Sequence, residues 1–227
     1  VRLVGSEMFI RYSYWGALFA GDNAAAAFYR AGCLHGGNPY PTHAIGPIAQ
    51  LLGFHRGDRM VRLSSITGMA AGRDSLLGHA NHTLITTERG VTILLQFDGT
   101  TPRPYSRIQG ISGTKAFAQK YPLPLFQDAD GLREGEAAEN FLHSVADSPA
   151  YRWWREGAAR GVPNAMNYAM DCRLIHCLRH GSPLDIDVYD AAEWSCLAEL
   201  TRLSAQCGGT PVDIPDFLNG EMPPAQR

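Results

Sequence analysis

The sequence predicts an α+β fold with a largely antiparallel sheet. Three observations carry that expectation: a strand and a helix are followed by a run of short strands and then by helices; Thr86-Thr87-Glu88-Arg89-Gly90-Val91 has hairpin composition; and no GxGxxG occurs anywhere in the chain. The βαβαβ alternation of a nucleotide-binding fold is therefore not expected.

Val1 to Trp15 alternates loosely and is rich in β-branched and aromatic residues, which reads as one strand or two with an edge position. Gly16 to Gly37 carries an alanine run, Ala24 to Ala27, before a glycine-rich turn, and reads as a loop or a short helix. A helix is predicted from Pro41 to Leu52. Asn38 is the expected N-cap, proline stands in the first turn, Ile45, Ile48, Leu51 and Leu52 form an apolar run, and Gly53 stops it. Strands follow at Val61 to Ile66, Thr83 to Thr87, Val91 to Phe97 and Arg107 to Ser112, and the proline-rich stretch Tyr121 to Leu125 is expected to end the sheet region. Three helices complete the pattern. They run from Pro149 to Ala159, from Asn164 to His180 before Gly181, and from Tyr189 to Gln206 after Asp187, with an irregular tail beyond Pro215. No internal repeat appears, and 227 residues are treated as one domain spanning 1–227.

Composition excludes several classes of function. Lys and Arg number 20 against 22 Asp and Glu, a formal charge of −2, so no field draws the chain to nucleic acid or to an anionic membrane. No apolar run approaches the ~18 residues of a membrane span. A small neutral or weakly polar ligand fits better. Five cysteines without a CxxC pair read as free thiols rather than a disulfide or zinc scaffold. The N-terminus lacks the basic and apolar regions of a signal peptide, leaving cytoplasm and bacterial periplasm equally open, and Val1 in place of an initiator Met reads as the start of a fragment or a processed chain.

The sharpest local constellation is Asn38-Pro39-Tyr40-Pro41-Thr42-His43. In a first helical turn Tyr40 and His43, three apart, project from one face. A phenol and an imidazole with ordinary pKa values of about 10 and about 6.5 can pass a proton between them, and the helix N-terminus favours the neutral, basic imidazole. By spacing alone, capping or packing is the more common reason for a histidine at a helix start. Thr100 to Arg107 packs two prolines, two arginines and Tyr105 into a stiff segment that could hold an aromatic ring and a guanidinium over a ligand, or could be an ordinary turn. Asp185, Asp187 and Asp190 suggest a glycosidase carboxylate pair, yet helix capping accounts for them more simply. His79 and His82 resemble a metal pair, but residues three apart in a strand point to opposite faces, so no metal site is expected.

These segments together resemble the substrate domain of the Gfo/Idh/MocA oxidoreductase superfamily, and within it the NAD-dependent branch classed as glycoside hydrolase family 109. The resemblance rests on Asn38 to His43, Arg56-Gly57-Asp58-Arg59, Thr101 to Tyr105, Gly113 to Ala118, Pro183 to Ala192 and Val212 to Phe217, in that order over nearly the whole chain. It implies an open, mostly antiparallel sheet backed by helices, whose exposed face forms a homo-oligomer contact. It also implies a small-molecule carbohydrate substrate, an N-acetylgalactosaminide-like glycoside, cleaved by transient oxidation at C3, elimination, water addition and re-reduction with NAD. By the same resemblance His43 and Tyr40 serve the proton transfers, and Arg30 and Tyr105 line the sugar site, although Phe28-Tyr29 stands where the family has a tryptophan before its arginine. NAD is then expected mainly on an N-terminal Rossmann domain that this chain lacks. Two alternatives remain: an NAD(P)-dependent sugar or polyol dehydrogenase of the same superfamily, which usually has an aspartate where Tyr40 stands, and a non-catalytic oligomerisation or binding module.

Overall fold

The structure, a computed structural model, describes residues 3–9, 36–68, 80–98, 106–107, 109–145 and 148–220. Among the described residues, nine strands form one sheet: β1 (Leu3–Phe9), β2 (Met60–Gly68), β3 (Ala80–Thr87), β4 (Thr92–Asp98), β5 (Gly110–Ser112), β6 (Phe117–Gln119), β7 (Leu125–Asp128), β8 (Gly131–Glu134) and β9 (Val212–Asp213). Their spatial order is β8-β7-β6-β5-β1-β4-β3-β2-β9. Only β1 and β4 run parallel; every other neighbour pair is antiparallel. The helices are α1 (Thr42–Leu52), α2 (Gly135–Val145), α3 (Pro149–Ala159), α4 (Ala165–His180) and α5 (Val188–Gln206). This is the expected α+β class. Among the described residues no helix is long and apolar enough to cross a membrane.

The centre of the sheet follows the strand period of two. In β3 the odd positions Asn81, Thr83, Ile85 and Thr87 are buried, and in β4 Ile93, Leu95 and Phe97 are buried. In β2 the register shifts between Met60 and Arg62, a bulge that turns both Met60 and Leu63 inward. Ile45, Ile48 and Ala49 of α1, with Trp194 and Leu197 of α5, cover that face and complete one apolar core with Phe54, Leu63, Ile85, Ile93 and Leu95. The opposite face of β2 and β3 presents exposed Arg62, Ile66, His82, Leu84 and Thr86.

Local signals set the helix ends. Ser148 accepts from Tyr151 N–H at α3, Asn164 caps α4, Gly181 ends it in the left-handed conformation, and Asp187 with Asp190 forms a capping box at α5. Three expectations are corrected. β1 is not an edge strand, because it lies inside the sheet between β4 and β5. The sheet does not end at Tyr121 to Leu125, because β7 and β8 continue it and α2 follows; and the strand expected from Arg107 begins only at Gly110. Of the N-terminal stretch, Leu3–Phe9 is a strand and Gly16 to His35 lies outside the described residues.

Candidate functional site

The segment leading into α1 is fixed by a buried polar seam between the sheet and α5. Gly37 N–H donates to Thr67 Oγ1 at 3.0 Å, and Asn38 N–H donates to Thr201 Oγ1 at 2.9 Å. At Gly37, with φ +92°, a Cβ would lie 2.6 Å from the Arg202 nitrogen, so only glycine lets this backbone pass α5. The seam continues through Asn81, which donates to Ser65 Oγ and Thr67 Oγ1, through Thr83, and through Ser204 Oγ, which accepts from Ser65 N–H. Asn38 is not the N-cap. Its Oδ1 accepts from Tyr40 N–H at 3.0 Å, closing a turn ahead of the helix, and Pro41 holds the cap position without a side-chain acceptor. Proline's fixed φ then starts α1 at Thr42.

This turn brings Tyr40 and His43 together. The phenol oxygen lies 3.1 Å from His43 Nε2, and the rings stack with centroids 4.5 Å apart at an interplanar angle of 26°. Desolvation holds the His43 pKa below its ordinary value, and the Arg107 guanidinium pushes it the same way. The positive end of α1 adds to that direction. His43 keeps an exposed edge, so the site holds a neutral imidazole that substrate can reach, backed by a phenol that can donate to it or accept from it. One turn on, Pro47 supplies no N–H to the His43 carbonyl.

Of the other expected site residues, Arg30 and Tyr105 lie outside the described residues. Arg107, two positions beyond Tyr105, acts on His43 through its charge, a role that sequence reading did not single out. The acidic cluster is committed to structure. Asp187 accepts from Tyr189 and Asp190 N–H, Asp190 Oδ2 accepts from Asp187 N–H, and Asp185 receives Arg173 through both carboxylate oxygens. Capping thus explains Asp187 and Asp190, and the ion pair with Arg173 explains Asp185. His82 is exposed and pairs with Gln96, and Asn81 beside it points inward, as the strand period requires; His79 lies outside the described residues. Among the described residues no group of three metal-type ligands occurs. Four described cysteines, Cys172, Cys177, Cys196 and Cys207, are free thiols.

The Arg56-Gly57-Asp58-Arg59 loop is structural. Buried His55, at φ 59°, reaches Glu193 at 3.2 Å, and Arg56 reaches Asp190 at 3.2 Å and Asp187 at 3.7 Å. The hydrogen bond to Glu193 raises the His55 pKa against the opposing effect of burial, with the charges of Glu193, Asp190 and Asp187 adding to the rise. Glu193 also accepts from Met60 N–H, so one carboxylate ties α5 to the start of β2. Sequence reading missed this cluster because its partners are far apart along the chain.

Residues 14–223 match the family model described as glycosyl hydrolase 109, C-terminal domain. The chain is 48% identical over 206 residues to the alpha-N-acetylgalactosaminidase of Bacteroides fragilis, covering 82% of this chain and 48% of that relative. It therefore spans about half the length of the curated relatives it matches. Among solved structures, the fold is similar to an inositol dehydrogenase homolog complexed with NAD+ from Azotobacter vinelandii, with TM-score 0.56 and 17% identity, covering 93% of this chain and 57% of that one. It is also similar to myo-inositol 2-dehydrogenase from Lactobacillus plantarum, with TM-score 0.58 and 13% identity, covering 95% and 57%. At these identities the likeness is one of fold.

The electrostatics of the pair generate a test. Arg107→Gln removes a positive charge that disfavours the imidazolium, so the His43 titration midpoint should move up toward the ordinary value of about 6.5. Histidine NMR titration of the wild-type chain and the variant reads this directly. A midpoint that stays in place or falls contradicts the assigned role of Arg107.

Proposed function

The chain belongs to the glycosyl hydrolase 109 family, and from that premise we propose that the protein carrying it is an NAD-dependent glycosidase acting on an N-acetylgalactosaminide-like glycoside. The single observation that supports this reading is the Tyr40–His43 pair, a hydrogen-bonded phenol and imidazole in which the imidazole is held toward its neutral form. Retaining hydrolysis by two carboxylates is the alternative chemistry, and the acidic residues nearest to such a role, Asp185, Asp187 and Asp190, are occupied by Arg173 and by helix capping.

The pair fits the reacting end of NAD, because an alcohol gives up hydride only beside a base that takes its hydroxyl proton. When bound, NAD supplies hydride exchange at C3 of the sugar. The chain's own residues move the protons. The His43–Tyr40 unit takes the C3 hydroxyl proton as the ketone forms and passes it to solvent, and then takes the C2 proton that the ketone has made acidic. Loss of that proton expels the C1 leaving group, which departs as its alcohol with a proton from the unit, and leaves a C1=C2 double bond. Water adds at C1, the unit returns a proton to C2, and a last proton restores the C3 hydroxyl as the ketone is reduced. Bonds and electrons balance as net hydrolysis with no net change in the cofactor. Arg30 and Tyr105 are assigned to the sugar site, and the dinucleotide phosphates to an N-terminal domain, since this sequence contains no glycine-rich phosphate turn.

In the full-length protein, His43→Ala and Tyr40→Phe should each lower kcat by about 10²- to 10⁴-fold while changing KM much less. Stripping NAD should abolish cleavage, and adding it back should restore cleavage without accumulation of NADH. Variants that retain full turnover would contradict the proton-transfer role, and stoichiometric NADH would establish the dehydrogenase alternative.

We also infer that the helix-free face of the sheet is a homo-oligomer contact. Ile66 and Leu84 are exposed there, and Leu84 sits beside half-buried Leu94 in register; an apolar strip that no helix among the described residues covers calls for a partner. Sedimentation should show a dimer or larger species that Leu84→Arg dissociates. A wild-type monomer at tens of micromolar, about the range of ordinary assays for such interfaces, would contradict it.

A further inference from the structure

A cavity of about 640 Å³ lies between α1, the β5–β6 strip and the helices α2 and α3. Two features connect it to the Tyr40–His43 pair. His43, Pro47 and Leu51 are each four residues apart and all exposed, so they form one row along α1, and Pro47 and Leu51 line the cavity. Each step on that row rises about 6 Å. On the other wall, Gln109 lines the cavity two residues from Arg107, whose charge acts on His43. The cavity thus begins about one helical turn from the imidazole.

Its lining has the chemistry of a sugar site. Trp154, 42% exposed, stacks on Tyr151 with centroids 5.8 Å apart and an interplanar angle of 10°, forming a flat aromatic platform. His143 is held between Tyr151, whose hydroxyl it meets, and Glu139 at 3.6 Å, which fixes the polar rim. Gln109 adopts φ 49°, a left-handed conformation that costs energy for a residue with a side chain and so points to a constraint at this wall. A hydrophobic face with a few fixed polar groups matches a ring that is apolar above and hydroxylated at its edge. Lys120 and Glu139 contribute opposite charges to the lining. That balance does not suit a diphosphate, which would need a surplus of positive donors.

We propose that this cavity is the leaving-group subsite and takes a neutral hexose unit of a glycan rather than a nucleotide or a simple alkyl group. The proposal rests on the glycosidase reading above and assigns that enzyme to oligosaccharide substrates. The scissile bond lies at the Tyr40–His43 pair, the sugar that leaves lies along the exposed row of α1, and its ring stacks on Trp154.

The full-length protein with NAD is assayed on two glycosides of α-N-acetylgalactosamine, one methyl and one carrying lactose as the leaving group. The ratio of kcat/KM for the lactoside over the methyl glycoside should exceed ten in the wild type, and Trp154→Ala should reduce that ratio about tenfold, equivalent to ~1.4 kcal/mol. Leu51→Arg, a surface change that fills the cavity from α1, should reduce it similarly. A ratio near one in the wild type, or a ratio unaltered in both variants, overturns the proposal, as does a uridine-diphosphate-linked N-acetylhexosamine turned over in preference to the lactoside. If the wild type cleaves neither glycoside, the glycosidase reading fails, and titration with free lactose then decides the subsite separately. Saturable quenching of tryptophan fluorescence that is lost in Trp154→Ala supports it, and absence of quenching overturns it.

Discussion

The placement of the Tyr40–His43 pair depends on the buried polar seam that joins the sheet to α5. Thr67, Thr83, Ser65 and Asn81 occupy strand positions that would ordinarily carry apolar side chains, and Thr201 and Ser204 face them from the helix. Each bond contributes about 0.5–1.5 kcal/mol net, but leaving one buried member unpaired costs more than that gain. The seam is therefore intolerant of displacement. Two of its outward connections are the backbone N–H groups of Gly37 and Asn38, which donate to the Thr67 and Thr201 hydroxyls, so the chain entering α1 is tied directly to the seam. A proton-transfer pair needs positional precision of this kind, because a phenol and an imidazole on a free loop would meet only transiently.

A second lock acts at the far end of α1. Gly53 ends the helix in the left-handed conformation, and the loop that follows sends His55 and Arg56 to three carboxylates at the start of α5. Since Asp187 and Asp190 also cap α5, the same groups end one helix and begin another. Trp194 packs against Gly46, where any side chain would press on the indole at about 3.1 Å, so α1 and α5 approach closely at mid-length as well. α1 is thereby fixed at its entry, its centre and its exit, and its exposed row of His43, Pro47 and Leu51 is the part left facing outward.

How much of this was legible in the sequence follows from the range of the interactions. Helix ends set by neighbours within four residues, such as the Asp187–Asp190 capping box and Gly181, were readable, and so was the Tyr40–His43 spacing. Strands β6, β7 and β8 were not, because they are three or four residues long and mostly half-exposed, with no alternation for a period of two to register. Helix α2 follows β8 directly with no intervening loop and buries only Ala138 fully. The polar seam has no signature along the chain, since Asn81 and Thr83 reveal themselves as interior residues only when Ser65 and Ser204 are brought beside them. The family resemblance supplied what periodicity could not, a role to propose for the Tyr40–His43 pair, and the structure shows the two side chains side by side.

The central claim is that cleavage passes through a C3 ketone, with the C2 proton removed and returned by groups on this chain. The most direct test is to run the full-length enzyme with its NAD in D₂O and to examine the released N-acetylhexosamine by NMR. The account predicts deuterium at C2 of the product, since the proton taken there exchanges with solvent before it is returned. Product that retains its original hydrogen at C2 would contradict the account, because direct displacement at C1 never breaks that bond.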